Sequence, residues 1–360
     1  MEHFTVIEKK GRTLLFPAAF PLPAGGCALL FHDAPLREPE LDYDIKSNLA
    51  VATAASPREI SAASARPVPR FPWSGYSPSV SPAADGLFAL TDTSWNVINW
   101  MGQAQAIVIE DVDWTISLRG GYFMLIDASG EELRFGKPRR IHVQHYPLLS
   151  VFGPAIHEGG DSFLCICDYN VDCSELAEKP WDVLALRTTD AGVTWEIAGR
   201  IYSEEEMDGL PRLSRSRAVK TADGEYLCAM LPYPREQSGA APLSSPNIHF
   251  SRTTDAGASW SAPEPTGPPA AEFSLVRLED GRLAMAALPP GAGRPIKLYI
   301  SENSGATWPE ELAIEVFPQE KEYTRARPHC AQMQDGALLV TCHRKTEKGG
   351  AAIEGAVVEP

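Results

Sequence analysis

Apolar residues in this chain come in short runs bounded by glycine, proline or aspartate, and almost no stretch keeps the 3.6-residue period of a helix. One phrase recurs six times: a short strand, a Gly or Asp-Gly turn, and an apolar second strand, the signature of a β-hairpin. It reads PAAFPLPAGGCALLF from Pro17, PSVSPAADGLFAL from Pro78, PAIHEGGDSFLCI from Pro154, RAVKTADGEYLCAM from Arg217, SLVRLEDGRLAMAA from Ser274 and PHCAQMQDGALLVTC from Pro328. A second phrase follows three of these hairpins: TTDAGVTW from Thr188, TTDAGASW from Thr253 and SENSGATW from Ser301. Its Asp (Asn303 in the third copy) can accept backbone N–H bonds across a tight turn, its Gly supplies positive φ, and its Trp buries a large face beneath.

Units of about sixty residues, each with room for four strands, cannot bury a sheet face alone, but stacked radially they bury both faces and leave short edges. The expected architecture is therefore an all-β, six-bladed β-propeller, one domain over residues 1–360 with blade hairpins starting near 17, 78, 154, 217, 274 and 328. Two β-sandwiches would need a linker near the middle, and the acidic stretch Ser203 to Ser216 is too short for one. Phe4 to Ile7 is expected to pair as an outer strand of the final blade, closing the ring.

Composition narrows the function classes. Thirty-two basic residues against 47 acidic give a net charge of −15, which repels polyphosphate, so nucleic acid is not an expected partner. No apolar run approaches the ~20 residues of a membrane helix, so no membrane partner is expected either. The first residues interrupt their apolar positions with Glu2, Glu8, Lys9, Lys10 and Arg12, unlike a secretory signal, and point to a cytoplasmic protein, or a secreted one if a leader has been removed. Seven cysteines are an odd number without zinc-ligand spacing; Cys165, Cys167 and Cys173 read as buried reduced thiols rather than a soft-metal site. His142 and His145 would face opposite sides of a strand. Neither a metal nor a cofactor is expected, and the oligomeric state is left open.

The turn phrase is the Asp box. With the six hairpins it makes the whole chain resemble the sialidase (neuraminidase) superfamily, in particular its bacterial neuraminidase-repeat, sialidase-like branch. In that family an Asp just after the second strand of the first blade is the acid/base catalyst, followed by a Ser-Asn strand. FHDAP supplies Asp33, and DIKSNLAVATAAS supplies Ser47 and Asn48. A Glu ahead of the fifth inner strand, which activates a tyrosine nucleophile in the family, corresponds to Glu272. Leu15-Phe16-Pro17 stands where the family has its first carboxylate-binding arginine phrase, and Leu288 where another arginine falls. Arg327 stands at the nucleophile's position, with Tyr323 just upstream as a substitute.

In the propeller layout the heads of the inner strands and the exits of the second strands open onto one face. The heads bring Phe16, Phe152, Arg215, Arg217, Glu272, Arg325 and Arg327, and the exits bring His32, Asp33, Asp92, Asp168, Tyr233, His343 and Arg344. Arginine's planar fork suits a carboxylate or sulfate, and a positive centre in an acidic protein is a local field. The resulting expectation is a sialidase-like glycoside hydrolase with non-standard catalytic residues acting on an exposed acidic sugar. Asp33, Glu272 and Tyr323 would carry the chemistry, and His32, Arg215, Arg217, Arg325, Arg327, His343 and Arg344 would bind substrate. Two alternatives remain: a non-catalytic glycan-binding propeller, or a polysaccharide lyase in which Tyr323, His329 or His343 abstracts the proton beside a uronate carboxylate. Trp73, Trp95, Trp100 and Trp114, outside the turn phrases, are candidates for stacking on sugar faces.

Overall fold

The computed structural model describes residues 1–35, 47–71, 75, 77–84, 86–98, 107–108, 115–146, 148–169, 181–207, 209–233, 246–291, 293–318, 327–345 and 351–359, with backbone alone for 95–98, 107–108, 115–119 and 345. The regular elements among the described residues are strands apart from three short 3-10 turns, and no described helix is long and apolar enough to cross a membrane. Each hairpin phrase folds as one antiparallel pair. The six inner strands are β1 (Arg12–Pro21), β2 (Ser79–Ala84), β3 (Ile156–Gly159), β4 (Arg212–Lys220), β5 (Glu272–Arg277) and β6 (His329–Gln332). Each lies against the next, and β6 against β1, so they surround one axis.

The second strands, such as Cys27–Pro35, Ser162–Tyr169 and Leu283–Leu288, are buried almost throughout, which is why they read as apolar runs rather than alternating ones. Their two faces feed successive apolar layers. Leu30 meets Leu90, Phe123 meets Phe163, Ile166 meets Cys228, Leu231 meets Phe273, Leu298 meets Val340, and Leu339 meets Leu29 across the last layer. The N-terminal strand Glu2–Ile7 pairs antiparallel with Ala351–Val358, as the hydrophobic pattern predicts.

The expected count of six separate four-stranded sheets needs correction. Hydrogen bonding groups the described strands into sheets of eight, six, five, three and four strands, so four sheets, not six, reach the size of a full blade. The eight-stranded sheet arises because β1 meets Ala351–Val358 through a parallel bridge, Thr13 to Ala351, which merges the strands of the first and last hairpins.

The recurring turn has one geometry. Thr188 Oγ1 donates to Asp190 Oδ1 at 2.7 Å, Gly192 N donates to Thr188 Oγ1 at 2.9 Å, and Thr194 N donates to Asp190 Oδ1 at 2.9 Å. Asp255 repeats the pattern with Thr253 and Ser259, and Asn303 repeats it with Ser301 and Thr307. The residue before each turn glycine, Ala191, Ala256 or Ser304, has φ of 54°, 58° or 54°. These donors pull the Asp190 carboxyl down to about 2, led by the Thr194 backbone N–H. Trp195 and Trp308 are buried in the layers that the turns cover. The six described cysteines are buried and free; Cys173 lies outside the described residues.

Candidate functional site

Two inner strands break their regular pairing at the head. The register of β1 shifts between Leu15 and Ala18, and that of β4 between Ser214 and Arg217. Within these bulges Phe16 (φ 54°) and Arg215 (φ 52°) occupy the left-handed region, which side chains other than glycine rarely adopt. Such strain, roughly 1–3 kcal/mol per residue, persists only where surrounding contacts fix it, and it clusters at functional sites. Phe16 packs on Phe152 and stands edge-on to His343, with ring centroids 5.3 Å apart, while the Arg327 guanidinium lies 4.8 Å above its ring. Phe16, Phe152, His343 and Arg327, from distant parts of the chain, thus lie together.

Glu272, at the start of β5, sits between Arg215 and Arg327: Arg215 ion-pairs with its Oε1, and Arg327 Nε lies 3.4 Å from the same oxygen. Glu272 Oε2 is buried and accepts no hydrogen bond from a described residue. Arg215 also lies 5.5 Å over the Tyr233 ring. Arg217 is placed differently from the sequence expectation. The bulge turns it beneath the others, over the Phe273 ring at 4.5 Å and along the axial cavity.

The first hairpin departs from its expected role. Asp33 is held by Lys9 Nζ at 2.8 Å and Arg12 Nε at 2.6 Å, so this carboxylate is engaged in an ion pair with the strand beside it. The reason is the pleat: neighbouring residues of one strand point to opposite faces, and it is His32 that turns inward. His32 Nε2 donates to Asp92 Oδ2 at 2.8 Å, and Ser47 Oγ lies 3.3 Å from Nδ1, all three groups being buried. Asp92 also accepts from Ser77 N at 2.8 Å. By the same alternation His343 Nδ1 accepts from Phe16 N at 3.4 Å, while Arg344, its neighbour, ion-pairs with Glu354 on the adjacent strand and is a sheet residue. Tyr323, Arg325, Trp73, Trp100 and Trp114 lie outside the described residues, and Trp95 is described by its backbone alone.

Sequence reasoning named Asp168 as an exit residue without giving it a task. Its buried carboxylate accepts from Ser214 Oγ at 2.9 Å, from Ser216 N at 3.4 Å and from Ser216 Oγ, spanning the bulge that presents Arg215. Burial pushes this carboxyl up to about 6 despite those donors. Below the arginines runs an axial cavity of about 800 Å³ lined by the inner strands of all six hairpins.

A propeller arrangement with arginines gathered at its axis is the class of protein these observations define. The family model described as a BNR repeat-like domain matches residues 134–340, and the chain belongs to that family. The match agrees with the sialidase-like, BNR-repeat resemblance carried by the turn phrases. Among solved structures, the chain is similar to a protein of unknown function from Dyadobacter fermentans (TM-score 0.80, 16% identity, covering 100% of this chain and 98% of that chain). It is also similar to a Hadza microbial sialidase (TM-score 0.63, 13% identity, 96% and 66% covered). A third match is a Penicillium chrysogenum alpha-L-arabinanase complexed with arabinobiose (TM-score 0.56, 12% identity, 99% and 98% covered). At these identities the likeness is one of fold. A sequence search of the curated proteins finds no match.

Proposed function

We propose that the protein is a sialidase-like glycoside hydrolase, one propeller domain over residues 1–360, acting on an exposed acidic sugar held where Arg215 and Arg327 flank Glu272. The carrying observation is that arrangement: two guanidinium groups, one from β4 and one from the residues just ahead of β6, enclose a carboxylate from β5 whose Oε2 is buried and accepts no hydrogen bond from a described residue. The planar forks of two arginines converging at one place suit an acid group, and Oε2 can accept a proton from a sugar hydroxyl or a tyrosine. Tyr323, which precedes β6 in the sequence, is the proposed nucleophile, and Arg325, two residues further on, a proposed substrate-binding residue. The ring of inner strands is read as six blades, the first and last sharing a sheet, with Asp-box turns on the third, fourth and fifth. Sialidases and an arabinobiose-bound arabinanase with this fold support a sugar as substrate.

Fluorogenic sialosides, uronides and arabinofuranosides test the reading. Turnover is expected on an acidic glycoside, and Arg327→Ala should raise KM about tenfold, the loss of one charge-assisted contact. Preference for neutral sugars would sink the anionic assignment. The engagement of Asp33 by Lys9 and Arg12 favours a second reading, a glycan-binding propeller without turnover. Binding of acidic sugars with no product would establish it, and absorbance from a new unsaturated bond would instead indicate a lyase.

A further inference from the structure

The axial cavity borders the Glu272 site at Arg327 but has a chemistry of its own. Its lining runs from the strand heads to the hairpin turns, from Phe16 to Pro23, Arg217 to Lys220, Ser274 to Glu279 and Arg327 to Gln334. Phe16, Arg217 and Arg327 therefore stand at its head end, and it extends toward the hairpin-turn side of the ring. We infer that this cavity is a second ligand site, for a carboxylate with an aliphatic body, entered from the hairpin-turn side with its head group on Arg217.

Arg217 is 6% exposed, donates to the Arg215 carbonyl at 3.3 Å and lies over Phe273, and no described carboxylate is within ion-pair reach of it. A buried guanidinium without an ion-pair partner is costly. Burial, reinforced by Arg327 and Arg215 and only partly offset by the Asp168 carboxylate, pushes Arg217 down to about 9. An anion at that end would relieve the cost. His329 lines the same end; its Nδ1 accepts from Ala19 N at 3.3 Å, so its proton sits on Nε2 as a further donor, and burial beside Arg217 keeps the ring neutral. Lys220 and Arg277 line the opposite end, and Glu279 is the carboxylate among the described lining residues.

The walls favour an aliphatic body over a sugar. Ser77 and Ser79 already donate to the Phe152 carbonyl and Ser81 to that of Ala155. Ser274 Oγ accepts from Cys330 N, and Gln332 and Gln334 donate to the Gly336 and Leu22 carbonyls, so between the two charged ends the open wall is chiefly Ala19, Val80, Ile156, Val219 and Leu275. A sugar would lose hydration on such walls without replacement hydrogen bonds, whereas a methylene chain gains about 0.8 kcal/mol per buried CH2. A volume of about 800 Å³ is ample for a chain of medium length.

The test is calorimetric titration of the full chain with octanoate, octanol and inorganic phosphate, with melting curves alongside. Octanoate should bind and raise Tm, and the other two should bind at least tenfold more weakly. Arg217→Met should lose octanoate affinity by at least tenfold. Lys220→Glu, on the exposed rim, should weaken it severalfold without disturbing the fold. Octanol binding as tightly as octanoate would overturn the anionic head group, and phosphate doing so would overturn the aliphatic body. Should Arg217→Met fail to fold, an unchanged octanoate affinity in Lys220→Glu overturns the location. The inference is independent of the Glu272 reading, because these probes are not glycosides: octanoate binding can fail while acidic-sugar turnover persists, and the reverse.

Discussion

Asp168 holds the bulge that presents Arg215, and it does so as a carboxyl whose ordinary value near 3.8 is raised to about 6 by burial. Between those values the folded protein keeps the proton that the unfolded chain releases, so stability falls as pH rises from about 4 to 6 and stays lower above, by on the order of 3 kcal/mol. Asp168→Asn removes the ionisation while keeping an oxygen for the serine hydroxyls. Melting curves at pH 4 to 7 should show wild type losing stability relative to the variant across that window, and parallel curves would refute the assignment. The same carboxylate shows what the sequence concealed. Its place at a strand exit was legible from the hairpin pattern, but its partners Ser214 and Ser216 depend on a bulge that no spacing rule announces. Asp33 shows the same limit: FHDAP places two polar residues at the exit, and only the pleat decides that His32 faces Asp92 while Asp33 faces Lys9 and Arg12.

The repeated turn is the element that sequence revealed most fully, because every hydrogen bond in it is local and its residue types follow from backbone geometry. What the sequence did not show is that each turn also docks on the sheet before it. A Cβ on Gly192 (φ 84°) would lie 2.5 Å from Phe123 Cδ1, and one on Gly305 (φ 80°) would lie 2.4 Å from Leu227 Cδ2. Gly224, with the same φ as Gly192, has no atom within 4 Å of such a Cβ. Gly224→Ala should therefore cost only the left-handed conformation, about 1 kcal/mol, whereas Gly192→Ala should add an overpacking cost of ~1–3 kcal/mol. Urea denaturation of the two variants separates the effects, and equal losses would mean that the turn does not press on its neighbour. The third copy carries Asn303, whose Nδ2 donates to Thr307 Oγ1 at 2.9 Å, so this turn keeps its shape without a charge. Asp190 stabilises the fold above the ordinary carboxylate value and loses that contribution as pH falls toward about 2, a dependence the Asn303 turn lacks.

At the scale of the whole molecule, each sheet covers its faces only with its neighbours, so the ring depends on being closed. Closure falls to Glu2–Ile7, which pairs with Ala351–Val358 and sets Val6 and Ile7, 2% and 3% exposed, into the layer between the last hairpin and the first. The fit is close: a Cβ on Gly355 would lie 2.7 Å from Val6 Cγ2. Burial of two such side chains contributes roughly 3–6 kcal/mol, a large share of the ~5–15 kcal/mol that stabilises a typical domain. Deleting residues 1–8 also exposes an unpaired edge on Ala351–Val358. Because the apolar layers join end to end, that loss is not confined to one sheet. The truncated chain should melt in a single transition at a Tm well below wild type, and a synthetic peptide of residues 1–8 added in trans should raise it again by restoring the missing strand. Scanning calorimetry with and without the peptide decides the point: an unchanged Tm after truncation would mean that the ring is held by the parallel bridge between Thr13 and Ala351, and that the N-terminal strand only covers it.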